Sequence, residues 1–145
     1  MLKRYLPYIV LALIVVACSK DKYQTKPTIA IKSVNGSEFL SAQDILVNIE
    51  YTDKEGDLGS GLLTYYRNRL NVTWPPNNDL ADTAFYNIPE FPKTTKGEFQ
   101  LRIQAGFLNE NPDNNDTVEF KIFVRDAGGN VSDTITTPIF VQVEQ

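Results

Sequence analysis

The stretch D-I-L-V-N-I-E-Y-T-D-K-E-G-D-L-G-S-G-L-L-T-Y-Y runs from Asp44 to Tyr66. Its first part alternates. Ile45, Val47, Ile49 and Tyr51 fall on one side, and Asp44, Asn48 and Glu50 fall on the other. Period two sends successive side chains to opposite faces, so the segment reads as a strand with one buried face. A polar loop with three carboxylates (Asp53, Glu55, Asp57) and three glycines follows, and a second run opens at Leu62. Strand, acidic loop, strand is the unit from which the rest of the chain can be read.

The same alternation returns downstream. Phe99, Leu101, Ile103 and Ala105 interleave with Glu98, Gln100, Arg102 and Gln104. Val118, Phe120, Ile122 and Val124 interleave with Glu119, Lys121 and Arg125. Ile135, Thr137, Ile139, Val141 and Val143 are placed on one face of the last segment, with Pro138 opposite at an edge or bulge, because proline cannot donate to a central ladder. Strands are therefore expected at 28–34, 44–51, 62–70, 83–88, 97–105, 116–125 and 133–143. No window carries a helical stripe. Seven short strands separated by Gly, Asn, Asp and Pro clusters predict an all-β, antiparallel sandwich of immunoglobulin or fibronectin-III type. The inter-sheet cysteine pair of antibody domains is missing, since Cys18 is the single cysteine.

The N-terminus supplies an address. Met1-Leu2-Lys3-Arg4 is basic, and the apolar run to Ala17 is shorter than the roughly 20 residues a membrane-spanning helix needs. It has the form of a secretory signal. The run closes V-V-A-C, and this ending resembles the lipobox of bacterial lipoproteins. The resemblance implies cleavage before Cys18 and attachment of acyl chains to that residue. Residues 1–17 are then a cleaved signal, 18–27 a lipidated cysteine with a polar tether, and 28–145 the sandwich. The Ser19-Lys20-Asp21-Lys22 stretch partly resembles the surface-export signal of Bacteroidota lipoproteins. An outer-membrane location follows, on the periplasmic face or the cell surface.

With 14 basic residues against 18 acidic ones and a net charge of −4, the chain lacks the clustered cations that nucleic acid requires. It has no histidine, the usual general base and transition-metal ligand. The acidic loop points to a harder ion. In an immunoglobulin-type sandwich the loops after the second and the sixth strands lie at one end. Asp53, Glu55 and Asp57 are thereby expected near Asp126 and Asn130 of R-D-A-G-G-N-V-S. Calcium takes six to eight oxygen ligands, and these five residues are candidates. The loop is not an EF-hand, because Gly56 stands at its fourth position and Thr64 at its twelfth. Both stretches are also good turn sequences in their own right.

T-D-K-E-G-D-L-G and V-R-D-A-G-G-N-V-S-D-T, together with the lipobox, resemble small Ig-like lipoproteins of Bacteroidota. That resemblance implies a sandwich fold and an envelope location, and little about activity. A second candidate surface is formed by Trp74, Tyr65 and Tyr66, whose rings would stack on a glycan. Without histidine, a free thiol or a phosphate loop, the chain reads as a non-enzyme. The expectation is a lipid-anchored binding or structural module, with calcium as its one candidate cofactor. A glycan-binding accessory protein and a subunit of an envelope assembly are the alternatives.

Overall fold

The computed structural model describes residues 25–40, 43–71, 83–104 and 116–143. The signal, Cys18 and Trp74 lie outside them. The described residues are all β, arranged as two facing sheets. The strands are β1 (Thr28–Val34), β2 (Glu38–Leu40), β3 (Ile45–Thr52), β4 (Leu62–Arg69), β5 (Thr83–Asn87), β6 (Lys96–Ile103), β7 (Asp116–Arg125), β8 (Ile135–Thr136) and β9 (Phe140–Val143). One sheet has the order β1-β3-β6, and the other β2-β9-β7-β4-β5 with β8 beside β7.

Alternation in the sequence becomes burial in the fold. Ile45, Val47 and Ile49 of β3 face Phe120, Ile122 and Val124 of β7 across the sandwich, all fully buried. Phe39, Tyr65 and Phe140 extend this core through edge-on and tilted ring contacts with Phe120 and one another. Burying a side chain of this size stabilises the fold by about 1.5–3 kcal/mol. Outward residues of β3 and β6 instead form polar ladders, as where the Gln100 side-chain amide donates to Asn48 at 2.9 Å.

The last segment departs from the expected pattern. Ile135, Thr137, Ile139, Val141 and Val143 do not share a buried face. Thr137, Phe140 and Gln142 point inward, and Ile139 is 52% exposed. The strand breaks at Thr137-Pro138-Ile139, which shifts the alternation by one residue and turns Phe140 into the core. Thr137 bridges the break: its backbone N–H donates to the Phe120 carbonyl and its hydroxyl accepts from the Phe120 N–H, each at 2.9 Å. Pro138 thus occupies a gap in the ladder, where no donor is needed. No alternation in the sequence marks the three-residue β2. It pairs in parallel with β9, a tertiary partner that no local pattern marks.

Candidate functional site

The acidic loop leaves β3 at Thr52 and turns at once on Asp53. This residue is buried, and its carboxylate organises the loop from inside. Its Oδ1 accepts the Glu55 backbone N–H at 3.2 Å, and its Oδ2 accepts those of Asp57 and Leu58 at 2.8 and 2.9 Å. Hydrogen bonds to an ionised acceptor are the stronger kind, and three of them replace much of the hydration that burial removes. Leu58, fully buried, plugs the loop into the core. Where β4 begins, Gly61 touches the end of β7: a Cβ at this position would stand 2.3 Å from the Arg125 carbonyl oxygen. That close approach admits only glycine.

The second loop starts the same way. Asp126 is buried; its Oδ1 accepts the Asn130 backbone N–H at 2.7 Å, and its Oδ2 accepts the Asn130 side-chain amide at 3.0 Å. The loops are tied directly. The Ala127 N–H donates to the Asp57 carbonyl at 3.1 Å, and the Asn130 side-chain amide also donates to Glu55 at 3.3 Å. Gly128 leaves the approach to the carboxylates open, since a Cβ there would lie 3.2 Å from Asp57 Oδ2 and 3.4 Å from Asp126 Oδ1.

The structure therefore brings together all five residues expected at this end. Asp53, Asp57 and Asp126 each turn an oxygen inward, and these oxygens all lie within 4.8 Å of one another. Glu55 and Asn130 stand at the rim, joined by their own hydrogen bond. Asp53 and Asp126 are both supplied with N–H donors, whereas Asp57 Oδ1 is shielded from solvent and meets none. Burial, then the charges of Asp126 and Asp53, push the Asp57 carboxyl above its ordinary value of 3.8. Three carboxylates at this separation repel, and a proton on Asp57 or a cation between them relieves the repulsion.

The donor set fits a hard cation. Every ligand atom is oxygen, the separations suit one ion touching several carboxylates, and Asp57 Oδ1 is free to join it. The sequence did not single out Leu58 or Gly128. An apolar residue within a polar loop was the signal available for Leu58; for Gly128, one glycine of a pair, there was none.

The proposed glycan platform fares differently. Tyr65 is fully buried, its ring stacked on Tyr86 at 5.7 Å and edge-on to Phe120 at 5.7 Å, so it offers a sugar no face. This corrects the expectation for Tyr65: its position on β4 points into the core. Tyr66 points the other way and is half-buried, with the Lys121 ammonium 5.6 Å from its ring centre. Trp74 lies outside the described residues.

No protein-family model matches this chain, and no curated protein does. Among solved structures it is similar to wild-type OgpA from Akkermansia muciniphila, at 18% identity and a TM-score of 0.42, over 82% of this chain and 29% of that one. A catalytically inactive OgpA in complex with an O-glycopeptide substrate matches at 19% identity and a TM-score of 0.41, over 87% and 31% of the respective chains. The chain thus spans about three tenths of the length of either structure. Likeness at this level carries no inference about activity.

Proposed function

We propose that this chain is a lipid-anchored, non-catalytic β-sandwich module of the bacterial envelope, and that calcium stiffens the end of the sandwich where the acidic loops meet. One observation carries the calcium reading: Asp53, Asp57 and Asp126, from two loops far apart in sequence, converge to within 4.8 Å. Asp53, Asp57 and Asp126 would hold the ion directly, with Glu55 and Asn130 at the rim. Calcium would supply no chemistry beyond charge and order, neutralising the cluster and locking the two loops together. The anchor rests on the V-V-A-C ending and the lone Cys18. The non-catalytic reading rests on a chain without histidine whose one thiol is the lipidation residue.

The test is thermal unfolding of the purified chain in EDTA and in millimolar calcium. At 100 times its dissociation constant a ligand stabilises by about 2.7 kcal/mol, a shift of several degrees for a domain of this size. Identical melts would reduce both loops to turns and remove the calcium reading.

A further inference from the structure

One side of the sandwich is open, where β5 ends the larger sheet and β6 ends the smaller among the described residues. A groove of about 460 Å³ runs between these two strands, a size within the ~300–1,000 Å³ range of small-molecule sites. Leu63, Ile88, Phe99 and Leu101 give it an apolar floor, and Tyr86 stands along it. Tyr86 is both fixed and accessible. Its ring lies nearly parallel to the buried Tyr65 ring, with centroids 5.7 Å and planes 10° apart, yet 41% of the residue is exposed. Tyr65 is itself wedged edge-on against Phe120 at 5.7 Å. A ring backed in this way is ordered before any ligand arrives, so stacking on it costs little further entropy.

Both rims of the groove offer backbone groups. The Ile88 N–H donates to the Gly61 carbonyl at 2.9 Å, continuing the β4–β5 register. Hydrogen-bonded and non-hydrogen-bonded pairs alternate along such a ladder. Tyr86 and Ile88 therefore turn their peptide groups toward β4, and Asn87 turns its N–H and C=O to the open side. On the other rim the Asp53 N–H donates to the Thr95 carbonyl at 2.9 Å, in register with the β3–β6 ladder. By the same count Gln100 turns its N–H and C=O away from β3, on the groove side. The charged side chain among the described lining residues is Arg102, and its guanidinium is already held by Asp44. The groove therefore asks for a neutral ligand with an apolar face for Tyr86 and an edge that both donates and accepts hydrogen bonds. A pyranose answers to all three, with C–H groups on its faces and hydroxyls, each donor and acceptor, around its edge. An acyl chain would leave the backbone groups of the rims unsatisfied.

We propose that the groove between β5 and β6 binds a neutral sugar unit, stacked on Tyr86 and hydrogen-bonded to the backbone of Asn87 and Gln100. None of the groove's described lining residues belongs to the acidic cluster, so this site is independent of a bound cation.

The test is saturation-transfer NMR on the full chain in a polyoxyethylene detergent, which carries no sugar headgroup. The probes are the methyl glycosides of glucose, galactose, mannose and N-acetylglucosamine at millimolar concentration. Saturation is expected to reach the ring C–H protons of at least one of them, equally in EDTA and in calcium. Tyr86→Ala should weaken that binding about tenfold or more, and Tyr86→Trp should retain it. Tyr66→Ala, on the other face of the same sheet, should leave it unchanged. Circular dichroism checks the fold of each variant, and Tyr86→Trp with Tyr66→Ala keeps the comparison if Tyr86→Ala unfolds. Absence of transfer to all four sugars overturns the proposal. So does binding that survives Tyr86→Ala undiminished, or binding that requires calcium. A response to an extended valine-threonine peptide and to none of the sugars would reassign the groove to peptides, and overturns it equally.

Discussion

The interior between β3 and β7 and the loop end above it are both buried, and for opposite reasons. Ile49 and Phe120 are buried because water is a poor solvent for them, and any close-packed apolar neighbour serves. Asp53 and Asp126 are buried although water is an excellent solvent for them, and only specific N–H donors make that tolerable. The first region is held by area and the second by geometry and charge. The first should therefore be indifferent to ions and mild changes of pH, and the second should respond to both.

The largest effect belongs to the interior. Phe120→Ala, at the meeting point of Tyr65 and Phe140, should cost about 4 kcal/mol by denaturant unfolding. The loss should be the same in EDTA and in calcium. A calcium-dependent loss would mean that core and loop end are not separable.

Next comes Asp53→Ala, which strands the N–H groups of Glu55, Asp57 and Leu58. The expected cost is about 3 kcal/mol, with the calcium-induced shift in melting temperature abolished. If the shift survives at full size, Asp53 shapes the loop and the ion binds elsewhere.

The smallest effect is the most diagnostic, and it lies in Asp57. Its folded carboxyl titrates above 3.8, chiefly through burial and then through Asp126 and Asp53. Well above that folded value, both the native and unfolded states are ionised and the native state carries the full repulsion. As pH falls through it, the native state takes up the proton first, and below 3.8 the penalty has gone. Without calcium, this group therefore makes the chain more stable on mild acidification. With calcium the sign reverses, because protons displace the ion. Asp57→Asn should stabilise the calcium-free protein slightly at neutral pH, flatten its acid gain and remove the calcium response. Melting curves of parent and variant over a pH series, with and without calcium, distinguish these outcomes. A variant less stable than the parent in EDTA would show that the Asp57 charge is already compensated.

Much of this comparison was legible in the sequence, and the reason is local. The alternations of 45–51 and 118–124 encode which face is buried, since a strand's period is two whatever it packs against. The two aspartate-glycine loops were legible as well, because Asp53 and Asp126 each bond backbone groups within five residues. Their convergence was deducible only by passing through the fold class, which sets both loops at one end. Where the local signal was broken, the reading failed. Thr137-Pro138 shifts the last strand by one residue, and the five positions from Ile135 to Val143 then look alternating without sharing a face. Tyr65 failed for a different reason: an aromatic residue in a strand has the same signature whether it faces a ligand or the core.

The sequence by itself determined the long alternating strands and the position of the acidic loop, because strand period and turn chemistry are properties of a few neighbouring residues. Tertiary structure alone decided that Asp57 Oδ1 meets no donor while Asp53 and Asp126 have theirs, that Tyr65 lies in the core, and that β6 ends its sheet among the described strands. Each depends on what the chain brings alongside from many residues away, and burial and hydrogen-bond satisfaction are fixed only when those partners arrive.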